Sequence, residues 1–236
     1  MILQGKGGVG KSMIAAAITQ FMHARGDRPR CIDTDPINAT FTGYEALDVE
    51  QLSIMKGDEI DPRSFDRLVE MIADADTDVI VDNGASSFVP LAHYLISNEV
   101  PALLAEMGHE LVIHTVVTGG QALRDTVSGF SQLIEQFPSE VRFVVWLNPY
   151  WGPITAAGKT FEGMKAYTAN RDRVSAIVSV PDLKADTFGQ DFSEMLKERK
   201  TFDEALEDST ATIMTRQRLK LVRERLFQAI GTAVIV

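Results

Sequence analysis

Residues 5–12 read Gly-Lys-Gly-Gly-Val-Gly-Lys-Ser, the pattern G-x-x-x-x-G-K-S. The run lies between a short apolar stretch, MILQ (1–4), and a helical periodicity of Ile14, Ala17, Ile18 and Phe21. Strand, glycine loop and helix form the context in which this pattern becomes a phosphate-binding P-loop. Across Gly7, Gly8, Val9 and Gly10, the glycines let backbone N–H groups turn inward and approach phosphate oxygens with no Cβ in the way. The helix beginning near Lys11 aims its positive end at the same anion. Lys11 reaches β- and γ-phosphates, and the Ser12 hydroxyl is placed to ligate Mg²⁺.

The remaining chain alternates strand and helix patterns. Near-continuous apolar runs at 78–82, 111–117, 141–148 and 174–180 predict buried parallel strands, and RCID (30–33) a shorter one. Helical faces follow at Phe65, Leu68, Val69 and Ile72, opened by Asp61-Pro62 as cap and first-turn proline, and at Leu123, Val127, Phe130, Ile134 and Phe137. With no repeat, low-complexity tract or linker, residues 1–236 are expected to form a single α/β domain. Its sheet is doubly wound and mostly parallel, with helices on both faces.

Composition narrows the function classes. A net charge of -10 opposes a surface uniformly adapted to nucleic acid or anionic membrane. One cysteine, Cys31, excludes an intramolecular disulfide framework and a four-cysteine metal site. No apolar run reaches the roughly 18 residues of a membrane span and no signal peptide is visible, so a cytoplasmic protein is expected. His23, His93, His109 and His114 show no metal-ligand spacing.

A plain P-loop leaves Lys6 unexplained. K-G-G-V-G-K-S resembles the deviant Walker A sequence of the ParA/MinD group of P-loop ATPases. The resemblance implies an ATP-sandwiched homodimer in which Lys6 reaches the partner's nucleotide, as arginine fingers do. CIDTDPINAT resembles that family's first switch segment. It implies that Asp35 orients the attacking water and assists the metal, with Asp33 in support. The family's D-P-Q-G-N-A is one residue shorter here, D-P-I-N-A, which shifts Asn38. Asp82, ending VIVD, occupies the Walker B position, where a carboxylate holds a Mg²⁺-bound water. The family continues with a hydroxyl residue and prolines, whereas this chain has Asn83, Gly84 and Ala85. Asn148, ending VVWLN, matches an asparagine that reads the adenine edge, and Pro181 with Leu183 match the segment along the base. Asn148 and Pro181 also fit plain strand-end turns.

Longer runs, among them DNGASSFVPLAHYLISNEVPALLAEMGHELVIHTVVTGGQAL and TIMTRQRLKLVR, resemble conjugal-transfer proteins of broad-host-range plasmids, and imply other transfer proteins as partners. The helix pattern over Arg216–Arg225 carries a basic stripe. It reads either as a DNA-contacting face or, more simply, as a solvated face paired with acids such as Glu204 and Glu207. The TAVIV terminus is too short for stable membrane insertion. The NPYWGPI loop fits either a partner contact through Tyr150 and Trp151 or a cover over the nucleotide edge. Three functions compete: an ATP-hydrolysing dimeric switch, an ATP-binding adaptor with incidental hydrolysis, and an ATP-dependent metabolic enzyme on the same fold.

Overall fold

The computed structural model describes residues 1–233; 234–236, which end the TAVIV run, lie outside the described residues. Strands Arg30–Asp33, Val79–Asp82, Val112–Thr118, Arg142–Asn148 and Val174–Ser179 form within a residue of the ends that the apolar runs predict. MILQ is too short for a ladder of its own. Instead Ile2 bridges Asp82 on one side and His114 on the other, both in parallel. The Ile2 N–H donates to Val81 C=O at 2.9 Å and the Leu3 N–H to His114 C=O at 2.8 Å. Met1–Leu3 therefore joins two three-stranded halves. By first residue the spatial order is 50, 30, 79, 1, 112, 142, 174, with every neighbour parallel.

Side-chain alternation along these strands feeds two cores. Cys31, Ile80, Val144 and Trp146 face one layer, and Ile32, Val81, Phe143 and Val145 the other. The first layer is covered by helices Lys11–Arg25, Phe188–Lys197, Phe202–Glu207 and Ile213–Thr232. The second is covered by Ser64–Ala73, Phe88–Ser97, Val100–Glu106 and Leu123–Gln136. His114 is a buried polar group paired within these layers. Burial holds His114 well below its ordinary pKa, and its neutral Nδ1 accepts the Trp146 indole N–H at 3.0 Å.

Two expectations need correction. Asp61-Pro62 does not cap the second helix: Asp61 accepts the Arg63 N–H in a turn, and the helix starts at Ser64. Arg216–Arg225 pairs with other acids than expected. Arg218 meets Asp191 and Arg223 meets Asp203, while the Glu204 carboxylate closes a capping box on Thr201.

Gln4 ties the start of the P-loop to the fold. Only 1% exposed, it donates through Nε2 to Val116 C=O at 2.8 Å and Thr126 C=O at 3.3 Å. Its Oε1 lies where a Cβ on Gly129 would come within 2.6 Å. In an exposed helix, Gly→Ala stabilises by about 0.8–1 kcal/mol. Here the neighbour is a locked amide, so Gly129→Ala is expected to destabilise by about 1–3 kcal/mol, the range for overpacking. Urea denaturation measures the sign directly; a more stable variant would show that Gln4 is free to move.

Candidate functional site

Parallel strands bring their carboxyl ends to one edge, and the P-loop crosses that edge. Gly10 caps the first helix with a left-handed φ of 101° and offers no side-chain hydrogen bond to its first turn. The first turn holds no acidic residue. Gly8 is also left-handed, at φ 71°. The N–H groups opening the helix are thus left for an anion, as phosphate binding requires.

Lys11 is buried to 8% exposure, and its Nζ lies 3.4 Å from the Lys6 carbonyl oxygen across the mouth of the loop. Burial lowers its pKa, while Asp82 and Asp35 raise it. The acids reach it through strand register. Asp33 and Asp82 are direct partners on neighbouring strands and are 0% and 1% exposed. Asp33 is fully engaged: Oδ1 accepts the Asp35 N–H, and Oδ2 accepts both the N–H and the hydroxyl of Thr42. It pins the segment carrying Asp35. Asp35 in turn accepts the N–H groups of Ile37 and Asn38, at 2.9 and 3.2 Å, in an Asx turn that leaves Asn38 exposed. A Cβ on Gly84 would lie 2.7 Å from Asp35 Oδ1, which accounts for glycine in a segment where the ATPases it resembles carry other residues.

Asp82 differs from Asp33. Its Oδ1 is buried and has no hydrogen-bond partner. Burial pushes its pKa up to about 7; the hydrogen-bonded Ser12 hydroxyl and Lys11 oppose the rise, and Asp33 and Asp35 add to it. The orphaned Asp82 carboxylate oxygen and the Ser12 hydroxyl are hard oxygen donors of the kind that suits Mg²⁺, and Lys11 stands beside them as a counter-charge for phosphate. Among the described residues no group of three His, Cys, Asp or Glu could hold a metal by itself.

Lys6 turns away from its own loop. Its Nζ pairs with Asp125 Oδ2 at 2.9 Å, with side chains 45% and 55% exposed. Asn148 sits beneath the loop, its Nδ2 donating to Val9 C=O at 2.9 Å and its Oδ1 accepting the Tyr150 N–H at 3.2 Å. Both ends of the carboxamide expected at the adenine edge are thus engaged. Pro181 and Leu183 are half-buried just beyond the strand Val174–Ser179. Sequence reasoning missed Gln4 and the contact of the Trp151 indole with Gly8 C=O at 3.3 Å. The polar Gln4 inside an apolar strand was the one available signal.

The raised Asp82 pKa gives a signed expectation. Unfolded, the carboxyl titrates near 3.8; folded, near 7. Its neutral form therefore supports the fold fully below pH 3.8, and that support is lost as pH rises to about 7. Asp82→Asn is expected to be more stable than wild type without ligand, by a margin that widens with pH to about 7 and then levels. Denaturant titrations between pH 4.5 and 8.5 check this; a margin independent of pH would mean that Asp82 stays ionised.

Known proteins resemble this chain at the level of family and fold. Residues 1–216 match the family model described as the CobQ/CobB/MinD/ParA nucleotide binding domain. Two proteins of Escherichia coli, each named Protein TraL, are 68% identical over 236 residues, covering 100% of this chain and 98% of theirs. Among solved structures, the MinD cell division protein of Aquifex aeolicus aligns with a TM-score of 0.50 at 15% identity, covering 96% of this chain and 95% of that one. A chain of the MinC:MinD cell division protein complex of the same organism gives 0.55 at 14% identity, with 96% and 94% covered. At those identities the likeness is one of fold. The chain belongs to the CobQ/CobB/MinD/ParA nucleotide-binding family, on the branch of the TraL proteins.

Proposed function

We propose that this protein is an ATP-hydrolysing switch that closes as a homodimer around ATP and Mg²⁺ and serves conjugative plasmid transfer in the cytoplasm. One observation carries the reading: Ser12, Lys11 and the orphaned Asp82 carboxylate converge at the mouth of a helix whose first turn no side chain caps. Gly7, Gly8, Val9 and Gly10 bind the phosphates through backbone N–H groups, and Lys11 supplies the opposing charge. Ser12 would ligate Mg²⁺, Asp82 would hold it through water, Asp35 would assist, and the ion would neutralise charge developing on the phosphates. Asp35 orients the attacking water, and Asp33 holds Asp35 in place. Pro181 lies along the base.

Lys6 is the residue that requires a second copy. Its bond to Asp125 is between exposed groups, and such pairs contribute about 0–1 kcal/mol, so it releases easily. The surface around the site suits a partner of the same kind. Ile37, Val89, Tyr150 and Trp151, in segments following three strand ends, are 74%, 68%, 71% and 55% exposed. The basic stripe is less suited to DNA, since Arg218, Arg223 and Lys220 each face an acid. Among the described residues, no helix is long and apolar enough to cross a membrane. Other transfer proteins are the proposed partners of the closed dimer.

Complementation between two inactive variants tests this reading. Lys6→Ala is expected to bind ATP but to lose ATP-induced dimerisation and turnover; fingers of this kind are worth about 10³–10⁵ in rate. Asp35→Ala is expected to bind ATP and accumulate the closed dimer. Mixed, they form a heterodimer in which one site keeps Asp35 and receives Lys6 from the partner. Phosphate release should reappear in the mixture alone. Heterodimers shown to form and yet remaining inactive would mean that Lys6 serves its own nucleotide.

A further inference from the structure

Two successive carbonyls of the P-loop accept side-chain donors from the same strand end. Asn148 Nδ2 donates to Val9 C=O at 2.9 Å, and Trp151 Nε1 to Gly8 C=O at 3.3 Å. In a trans peptide the C=O and the following N–H are coplanar and point in opposite directions, and the described chain holds no cis bond. Fixing the Gly8 oxygen therefore fixes the Val9 N–H on the far side, and fixing the Val9 oxygen does the same for the Gly10 N–H. We infer that Trp151 and Asn148 are positioning residues that set the anion-binding N–H groups of the P-loop before phosphate arrives. The inference rests on the nucleotide-site reading above and names the part of the nucleotide that these two hydrogen bonds serve: the phosphates.

The Trp151 loop is built to hold that position. Asn148 Oδ1 accepts the Tyr150 N–H, so the carboxamide that grips Val9 also starts the turn carrying Trp151. The Asn148 carbonyl accepts the Thr118 hydroxyl at 2.7 Å, fixing the strand end itself. Beneath the turn, backbone lies on backbone. A Cβ on Gly119 would come within 2.1 Å of the Gly152 oxygen, and one on Gly120 within 2.3 Å of the Trp151 oxygen. The Tyr150 ring stands edge-on to the indole at 5.0 Å. Trp151 keeps 55% of its surface in solvent while its one polar atom is held by the loop. Donors that fix the dipoles before binding remove reorganisation from the binding step.

The test separates phosphate from base. Inorganic pyrophosphate and ATP are titrated calorimetrically into wild type, Trp151→Phe and Asn148→Ala. Trp151→Phe keeps a ring but loses the N–H. Its affinity is expected to fall about five-fold for both ligands alike, as for one neutral hydrogen bond, with the melting temperature unchanged. Asn148→Ala is expected to weaken both ligands by a common, larger factor. In wild type the Trp151 indole N–H resonance should shift on adding pyrophosphate, a readout that needs no variant to fold. Trp146, buried against His114, provides the reference resonance. Unchanged pyrophosphate affinity in both variants, or an Asn148→Ala loss confined to ATP, would overturn the inference while leaving the nucleotide site standing. Wild type that binds neither ligand would overturn the nucleotide site and the inference with it.

Discussion

Backbone hydrogen bonding of Met1–Leu3 between the strands at 79–82 and 112–118 is the constraint on which the other features depend. Three residues join the two halves of the sheet and deliver the chain to its carboxyl edge beside Asp82. Gln4 then anchors the exit to Val116 and Thr126. The glycine loop thus starts from a fixed point. A looser entry would leave the loop to be organised by the ligand, at a cost in affinity.

Electrostatics set the next level. Asp33 and Asp82 are neighbours in register and equally buried, yet they differ in what they lack. Asp33 has its backbone and hydroxyl donors and behaves as a structural carboxylate. Asp82 has one oxygen without a donor, and burial lifts its pKa. Leaving a buried acceptor unsatisfied costs about 1–3 kcal/mol. Such a residue is consistent with a site that is completed by something the chain does not itself contain.

Much of this was legible in the sequence because it is local. Apolar runs ending in polar residues mark the parallel strands, and the P-loop motif carries its chemistry within eight residues. Contacts between distant segments were not legible. Trp151 meets Gly8 across 143 residues, and no periodicity points to that pairing. The register that sets Asp33 beside Asp82 is equally invisible until the strands are paired. The acids facing the last helix belong to Asp191 and Asp203, because helix packing, not proximity in sequence, chose them over Glu204 and Glu207. The helix Phe88–Ser97 was harder to read because exposed Val89 and half-buried Tyr94 and Ile96 add apolar residues around its buried face of Phe88, Leu91, Ala92 and Leu95.

In the proposed function, the loop over this edge binds nucleotide phosphate through Lys11 and its N–H groups. Calorimetry of ATP·Mg²⁺ with wild type and with Lys11→Ala, each shown to be folded by circular dichroism, tests it most directly. Saturable binding to wild type, and none to the variant at the same concentrations, is the expected result. Equal affinity in a folded Lys11→Ala protein would contradict it.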